Sequence, residues 1–169
     1  MSEEEEEAKV TARPWHLRLV GIVMILWNSR PWHLWVVGIV MILWNSIGCL
    51  DFVMTQTKND EYLEAFKFTP EQIEFLYSFP TWAVLMWGIA VWGSMLGVLL
   101  LLAKKRFAVE AYIVGLLTYC LAMIRQYSFT DFTELFPETS YPVMSVVVFI
   151  LLLGQLLYAR AMANRGVLS

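Results

Sequence analysis

Hydrophobic and polar positions fall in long blocks along this chain. Four apolar runs, 31–50, 80–103, 107–127 and 141–159, are separated by hydrophilic segments whose charge changes sign each time. At about 1.5 Å per helical residue, each run is long enough to cross a hydrocarbon core of about 30 Å. The pattern predicts an all-α integral membrane four-helix bundle, up-down-up-down, with spans at about 32–53, 80–103, 107–127 and 141–160. Residues 30–169 form this membrane domain, and residues 1–12 are an acidic run expected to stay disordered.

The segment between the first two spans carries its own helix signals. Asn59 is placed to cap a helix through Ala65. Thr69-Pro70-Glu71-Gln72 is a capping box with proline at the first helical position, a specific start signal. Apolar Ile73, Phe75, Leu76, Tyr77 and Phe79 follow, with Glu71 and Glu74 opposite. Two short amphipathic helices on the outer surface are therefore expected, either as a lid over a cavity or resting at the headgroups.

Residues 13–29 and 30–46 are near-copies, identical at 15 of 17 positions and differing at Arg18/Trp35 and Leu19/Val36. Units this similar, and only two of them, are not a solenoid repeat. They read as a recent tandem duplication or an error of the gene record. Only the second copy runs on into apolar sequence and reaches span length. Arg30-Pro31 interrupts any helix continuing from the first. The first copy, 13–29, is expected to form a short interfacial helix.

Composition strengthens the membrane reading. Hydrophobic residues make up 59% and charged residues 16% of the chain, against about half and about a quarter in soluble domains. Orientation follows from the basic residues of short loops. Lys9, Arg13, Arg18, Arg30, Lys104, Lys105, Arg106, Arg160 and Arg165 fall on one side, and Lys58 and Lys67 on the other with Arg125 near its boundary. The first side is expected to be cytoplasmic, with both termini there. The net charge is −3 and most of the acids sit in the tail and two loops. No basic patch is expected to track phosphates, and nucleic acid is not an expected partner. Cys49 and Cys120 lie in or at the ends of apolar runs and are expected to be free thiols.

Ionisable side chains at membrane depth are functional candidates by default. Asp51 closes the first span and Arg125 the third, both at the outer end. They either pair or each reach into the headgroup layer. His16 and His33 lack acidic or cysteine partners at ligand spacing, so no metal site is expected. Trp44, Trp87 and Trp92 either stack on a sugar ring or fill and belt the bundle. Gly93 and Gly97 make a GxxxG pair, and Ala111, Gly115, Thr118 and Ala122 a second small-residue stripe. Such stripes let helix backbones approach, within one bundle or across a homodimer. Gly-x-Ser-x-Gly, a phosphate-binding loop, zinc spacing and paired intramembrane carboxylates are all missing from the sequence. An enzyme is the least expected class, and no cofactor is expected.

Trp44-Asn45, Gly48, Asp51-Phe52, Met54-Thr55-Gln56-Thr57, Asn59 and Tyr62-Leu63 form a connected signature. Thr69-Pro70-Glu71-Gln72, Phe79-Pro80, Trp82-Ala83, Trp87 and Val91-Trp92-Gly93 continue it, and Tyr158-Ala159-Arg160 with Gly166-Val167-Leu168 close it. Over residues 30–168 the chain resembles a small family of four-span bacterial inner-membrane proteins labelled sugar transporters. The resemblance implies a multi-pass protein of that membrane and a small-solute cargo. Four spans rarely enclose a pathway alone, so a carrier implies an oligomer, with a homodimer sealed through Gly93 and Gly97. Its binding residues are then expected among Asn45, Asp51, Thr55, Gln56, Asn59, Tyr62, Trp87, Trp92 and Arg125. The alternative is a non-transporting membrane scaffold whose outer amphipathic loop is the contact surface.

Overall fold

The computed structural model describes residues 32–128, 136 and 140–169. The acidic run 1–12 and the repeat copy 13–29 lie outside the described residues. Every regular element among the described residues is an α-helix: α1 Trp32–Gln56, α2 Asp60–Ala65, α3 Pro70–Tyr77, α4 Thr81–Leu102, α5 Ala108–Ser128 and α6 Ser140–Asn164. Of these, α1, α4, α5 and α6 are long and apolar enough to cross a membrane. Among the described residues the first span-length helix, α1, begins in the second repeat copy.

By backbone proximity the chain divides into two units, 1–36 and 37–169. The described part of the first is the opening of α1, where the Trp32 and His33 rings stand edge-on with centroids 6.4 Å apart. The second holds the remaining helices.

Several helices overrun the apolar runs that announce them. α1 continues past Asp51 to Gln56. It stops where the Asn59 N–H bonds the Met54 carbonyl at 3.1 Å and the Lys58 N–H bonds the Thr55 carbonyl at 3.2 Å. This reversal puts Lys58 in the left-handed region, φ 54°. α4 ends the same way: Lys105 N–H bonds Leu100 at 2.8 Å and Lys104 N–H bonds Leu101 at 3.0 Å, around Lys104 at φ 57°. Both are Schellman closures, which return amide donors to the helix's last carbonyls. At the end of α6 the left-handed position is Gly166, the residue that accepts it without steric penalty. Hydrocarbon solvent requires apolar side chains only within its own thickness, so backbone hydrogen bonding carries a helix beyond that limit.

The packing is built on small residues. A Cβ added to Gly93 would lie 3.8 Å from the Ala111 carbonyl oxygen and from the Gly115 Cα. One added to Gly97 would lie 2.9 Å from the ring of Tyr112, itself almost fully buried. So Gly93 and Gly97, the candidate homodimer pair, face α5 of their own chain. Ser94 and Thr118 are buried and turn their hydroxyls onto their own helices, Ser94 Oγ to the Ala90 carbonyl at 2.6 Å and Thr118 Oγ1 to the Val114 carbonyl at 2.9 Å. On α1, Gly38 meets Leu102 and Gly48 meets Val91, while Phe52 packs on Gly88 of α4. α6 is joined to α5 by the Tyr119 hydroxyl, which donates to the Ser145 carbonyl at 2.7 Å.

The outward faces are apolar. Trp82, Leu85, Ile89, Trp92, Leu96 and Leu99 recur at helical spacing along α4 and are all exposed, as are Val114, Leu117, Leu121 and Ile124 along α5. A soluble monomer does not leave contiguous surface of this kind in water. With four span-length helices, this is the construction of a multi-pass membrane protein. Cys49 and Cys120 are free thiols.

Candidate functional site

The polar groups gather at the end of α1. Because α1 runs on to Gln56, Asp51 sits more than a turn before the helix terminus. The left-handed turn at Lys58 sends the chain back as α2. Asn59 caps α2 by accepting the Tyr62 N–H on its side-chain oxygen at 2.8 Å. Tyr62 then lies over α1, and its hydroxyl donates to Asp51 Oδ1 at 2.7 Å. Asp51 is thus held by Tyr62 and not by Arg125, which lies half-buried in the last turn of α5. The reason is proximity: the reversal delivers Tyr62 to the carboxylate from eleven residues away. Burial, followed by the hydrogen bond and the charge of Asp51, raises the Tyr62 phenol well above its ordinary range.

A second chain of contacts closes the segment above. Thr69 and Gln72 form the reciprocal capping box, Thr69 Oγ1 accepting the Gln72 N–H at 3.3 Å and Gln72 Oε1 accepting the Thr69 N–H at 2.9 Å. With Pro70 in the first turn, this starts α3 where the motif places it. α3 carries Phe75 into an aromatic cluster with Phe68, Phe79, Phe136 and Tyr141. Phe136 is almost fully buried and is its hub, 6.0 Å from Phe75, 6.3 Å from Phe68 and 4.8 Å from Tyr141 between ring centroids. Edge-on and tilted rings at such distances add about 0.5–1.5 kcal/mol per pair beyond their buried area. The cluster gives the segment between α1 and α4 a small core shared with Phe136 and with Tyr141 of α6. The two short helices therefore form a cap with its own interior.

Between the cap and the start of α4 lies an open cleft of about 270 Å³, lined by Gln56, Lys58, Leu76, Tyr77, Phe79, Thr81 and Val84. The Lys58 ammonium stands 4.5 Å above the Tyr77 ring. The Tyr77 hydroxyl is buried and has no hydrogen-bond partner among the described residues. Burial and the nearby Asp60 charge raise its phenol above the ordinary range. The lining groups donate and accept hydrogen bonds, and the cleft offers a cation but no activated nucleophile.

The sequence-predicted residues separate into those the fold gathers and those it does not. Asp51, Asn59 and Tyr62 form one bonded group, with buried Thr55 and cleft-lining Gln56 beside it. Trp87 is half-buried and packs edge-on against Phe52 at 5.0 Å and 79°. Trp92 is 50% exposed and faces outward among the apolar side chains of α4. Asn45 lies deeper, six residues before Asp51, or roughly 9 Å along the helix. Its amide donates to the Met41 carbonyl at 2.9 Å and across the bundle to Gln155 Oε1 at 3.1 Å. Both side chains are buried. The sequence offers Asn45 as a candidate binding residue but does not mark Gln155 as its partner. Sequence reasoning also missed Phe136, Tyr77 and Lys58. A concentration of phenylalanine in otherwise polar loops was the available signal. Among the described residues no three His, Cys, Asp or Glu side chains gather in metal-binding geometry.

No protein-family model matches this chain, and neither a curated protein nor a solved structure matches it.

Proposed function

We propose that this protein is a four-span scaffold of the bacterial inner membrane that transports nothing itself and presents its aromatic-cored cap to a partner. The spans run up-down-up-down, with residue 30, the 103–107 turn and residue 165 on the cytoplasmic side and the cap outside. The excess of Lys and Arg on the first side supports that orientation. The observation that carries the scaffold reading is the Asn45–Gln155 bond. A solute path through lipid needs polar side chains facing a cavity. Here the two deep amides are joined to one another, and the buried hydroxyls of Ser94 and Thr118 are bonded to their own helices.

A specific observation favours a second reading, a sugar-type carrier acting as an oligomer. The Tyr77 hydroxyl is buried without a hydrogen-bond partner among the described residues, and Tyr77 lines the cleft with Gln56 and Lys58, a set suited to a polyhydroxylated solute. The resemblance to the family labelled sugar transporters points the same way.

Purified protein reconstituted into liposomes separates the two, with its mass measured in detergent. The scaffold reading expects uptake of labelled hexoses no greater than in empty liposomes. A photo-crosslinking residue at exposed Glu61 or Glu74 should capture one discrete partner in the native membrane. Hexose uptake that falls on Tyr77→Phe or Gln56→Ala establishes the carrier instead.

A further inference from the structure

We propose that the end of the bundle where α4, α5 and α6 meet binds the headgroup of an anionic phospholipid. In the sequence its cations form two separate short groups, Lys104, Lys105 and Arg106 between α4 and α5, and Arg160 and Arg165 near the end of α6. The fold ties them together. The Ser169 N–H bonds the Lys104 carbonyl at 2.8 Å, and the Arg106 N–H returns a bond to the Ser169 carbonyl at 3.0 Å. Leu168 is buried at 5% exposure and anchors this backbone exchange. All five cationic residues remain exposed. Counting side chains in residues 103–113 and 156–169, these five cations are accompanied by one acidic side chain, Glu110.

The backbone leaves these cations free. Lysines after a helix commonly cap its last carbonyls. Here the Leu99, Leu100 and Leu101 carbonyls already accept the N–H groups of Ala103, Lys105 and Lys104. The first amides of α5 are also occupied, Ala108 N–H by the Lys105 carbonyl at 3.1 Å and Val109 N–H by the Arg106 carbonyl at 3.0 Å. Recognition of an anion therefore falls to the side chains. Phe107 identifies the anion as a lipid. It is 71% exposed directly beside the three loop cations. A soluble phosphate gains nothing from that ring, whereas a phospholipid offers acyl chains to the ring and a phosphate to the cations at the same depth. The inference is independent of both the scaffold and the carrier reading.

The test is native mass spectrometry of the full chain in neutral detergent with dioleoylphosphatidylglycerol or dioleoylphosphatidylcholine. The phosphatidylglycerol complex should persist at collision energies that strip phosphatidylcholine, and rising ammonium acetate should weaken it. Combining Lys104→Gln, Lys105→Gln and Arg106→Gln should lower retention roughly five-fold per cation removed. The charge-preserving Lys104→Arg, Lys105→Arg pair should retain the lipid, which separates lost recognition from lost folding. Lys58→Gln with Lys67→Gln removes two cations of the segment between α1 and α4 and should change nothing. Equal retention of the two lipids, an equal loss in the Lys58/Lys67 control, or displacement of the lipid by millimolar inorganic phosphate would overturn the assignment.

Discussion

Tyr62 is the residue whose replacement reads out the Asp51 contact most directly. Tyr62→Phe keeps the ring against Phe66 and removes only the donor to a half-buried carboxylate. A hydrogen bond to a charged group contributes about 1.5–3 kcal/mol, so the variant should melt earlier in detergent by that order. The same contact sets an alkaline limit. Because the folded state raises the Tyr62 phenol above its ordinary value of 10.0, it keeps a proton that the unfolded chain releases. That contribution is complete below about pH 10 and is lost as pH rises beyond it. Thermal denaturation followed from pH 8 to 11 should show stability falling above pH 10 in the wild type and a flatter profile in Tyr62→Phe. At this scale the local features were legible. The Asn59 cap and the Thr69–Gln72 box are encoded within four residues. The partner of Asp51 was not, because it depends on where the chain reverses. Span endpoints suggested Arg125, while a left-handed lysine delivered Tyr62.

Among the elements, the α4–α5 contact makes the sharpest prediction. A Cβ on Gly97 meets the almost fully buried Tyr112 ring at 2.9 Å, whereas one on Gly93 finds ordinary contact at 3.8 Å. Gly97→Ala should destabilise by about 1–3 kcal/mol, the range for overpacking a filled core, and Gly93→Ala should be close to neutral. A melting curve of each variant checks this. An unchanged Gly97→Ala melt with a lowered dimer fraction would place the pair on a homodimer face instead. The α1–α6 contact is tested by a double-mutant cycle with Asn45→Leu and Gln155→Leu. Interhelical hydrogen bonds in membranes average about 0.6 kcal/mol and reach about 1.7, so the coupling energy should fall in that range. The cap has its own test. Phe136→Ala empties the hub of the aromatic cluster and should cost about 3 kcal/mol locally, seen as faster proteolysis between residues 57 and 80. The stripe that became the α4–α5 contact was plain in the sequence, but whether it met its own chain or a second copy was not.

For the whole molecule, the second repeat copy builds α1, so deleting residues 13–29 should leave insertion and topology unchanged. Reporter tags in the cap and after residue 165 should then stay on opposite sides of the membrane in both forms. A tag after residue 165 that changes sides would assign the spanning role to the first copy. By itself the sequence determined the solvent, the four span-length helices among the described residues and the starts of α2 and α3. Run length against bilayer thickness and local capping chemistry need no knowledge of distant neighbours. The tertiary structure alone decided which polar groups meet: Asp51 with Tyr62, Asn45 with Gln155, and the basic turn with the residues after α6. Each of those contacts depends on a reversal or a helix rotation, and an apolar run has no sequence mark for either, since lipid accepts every face of it equally.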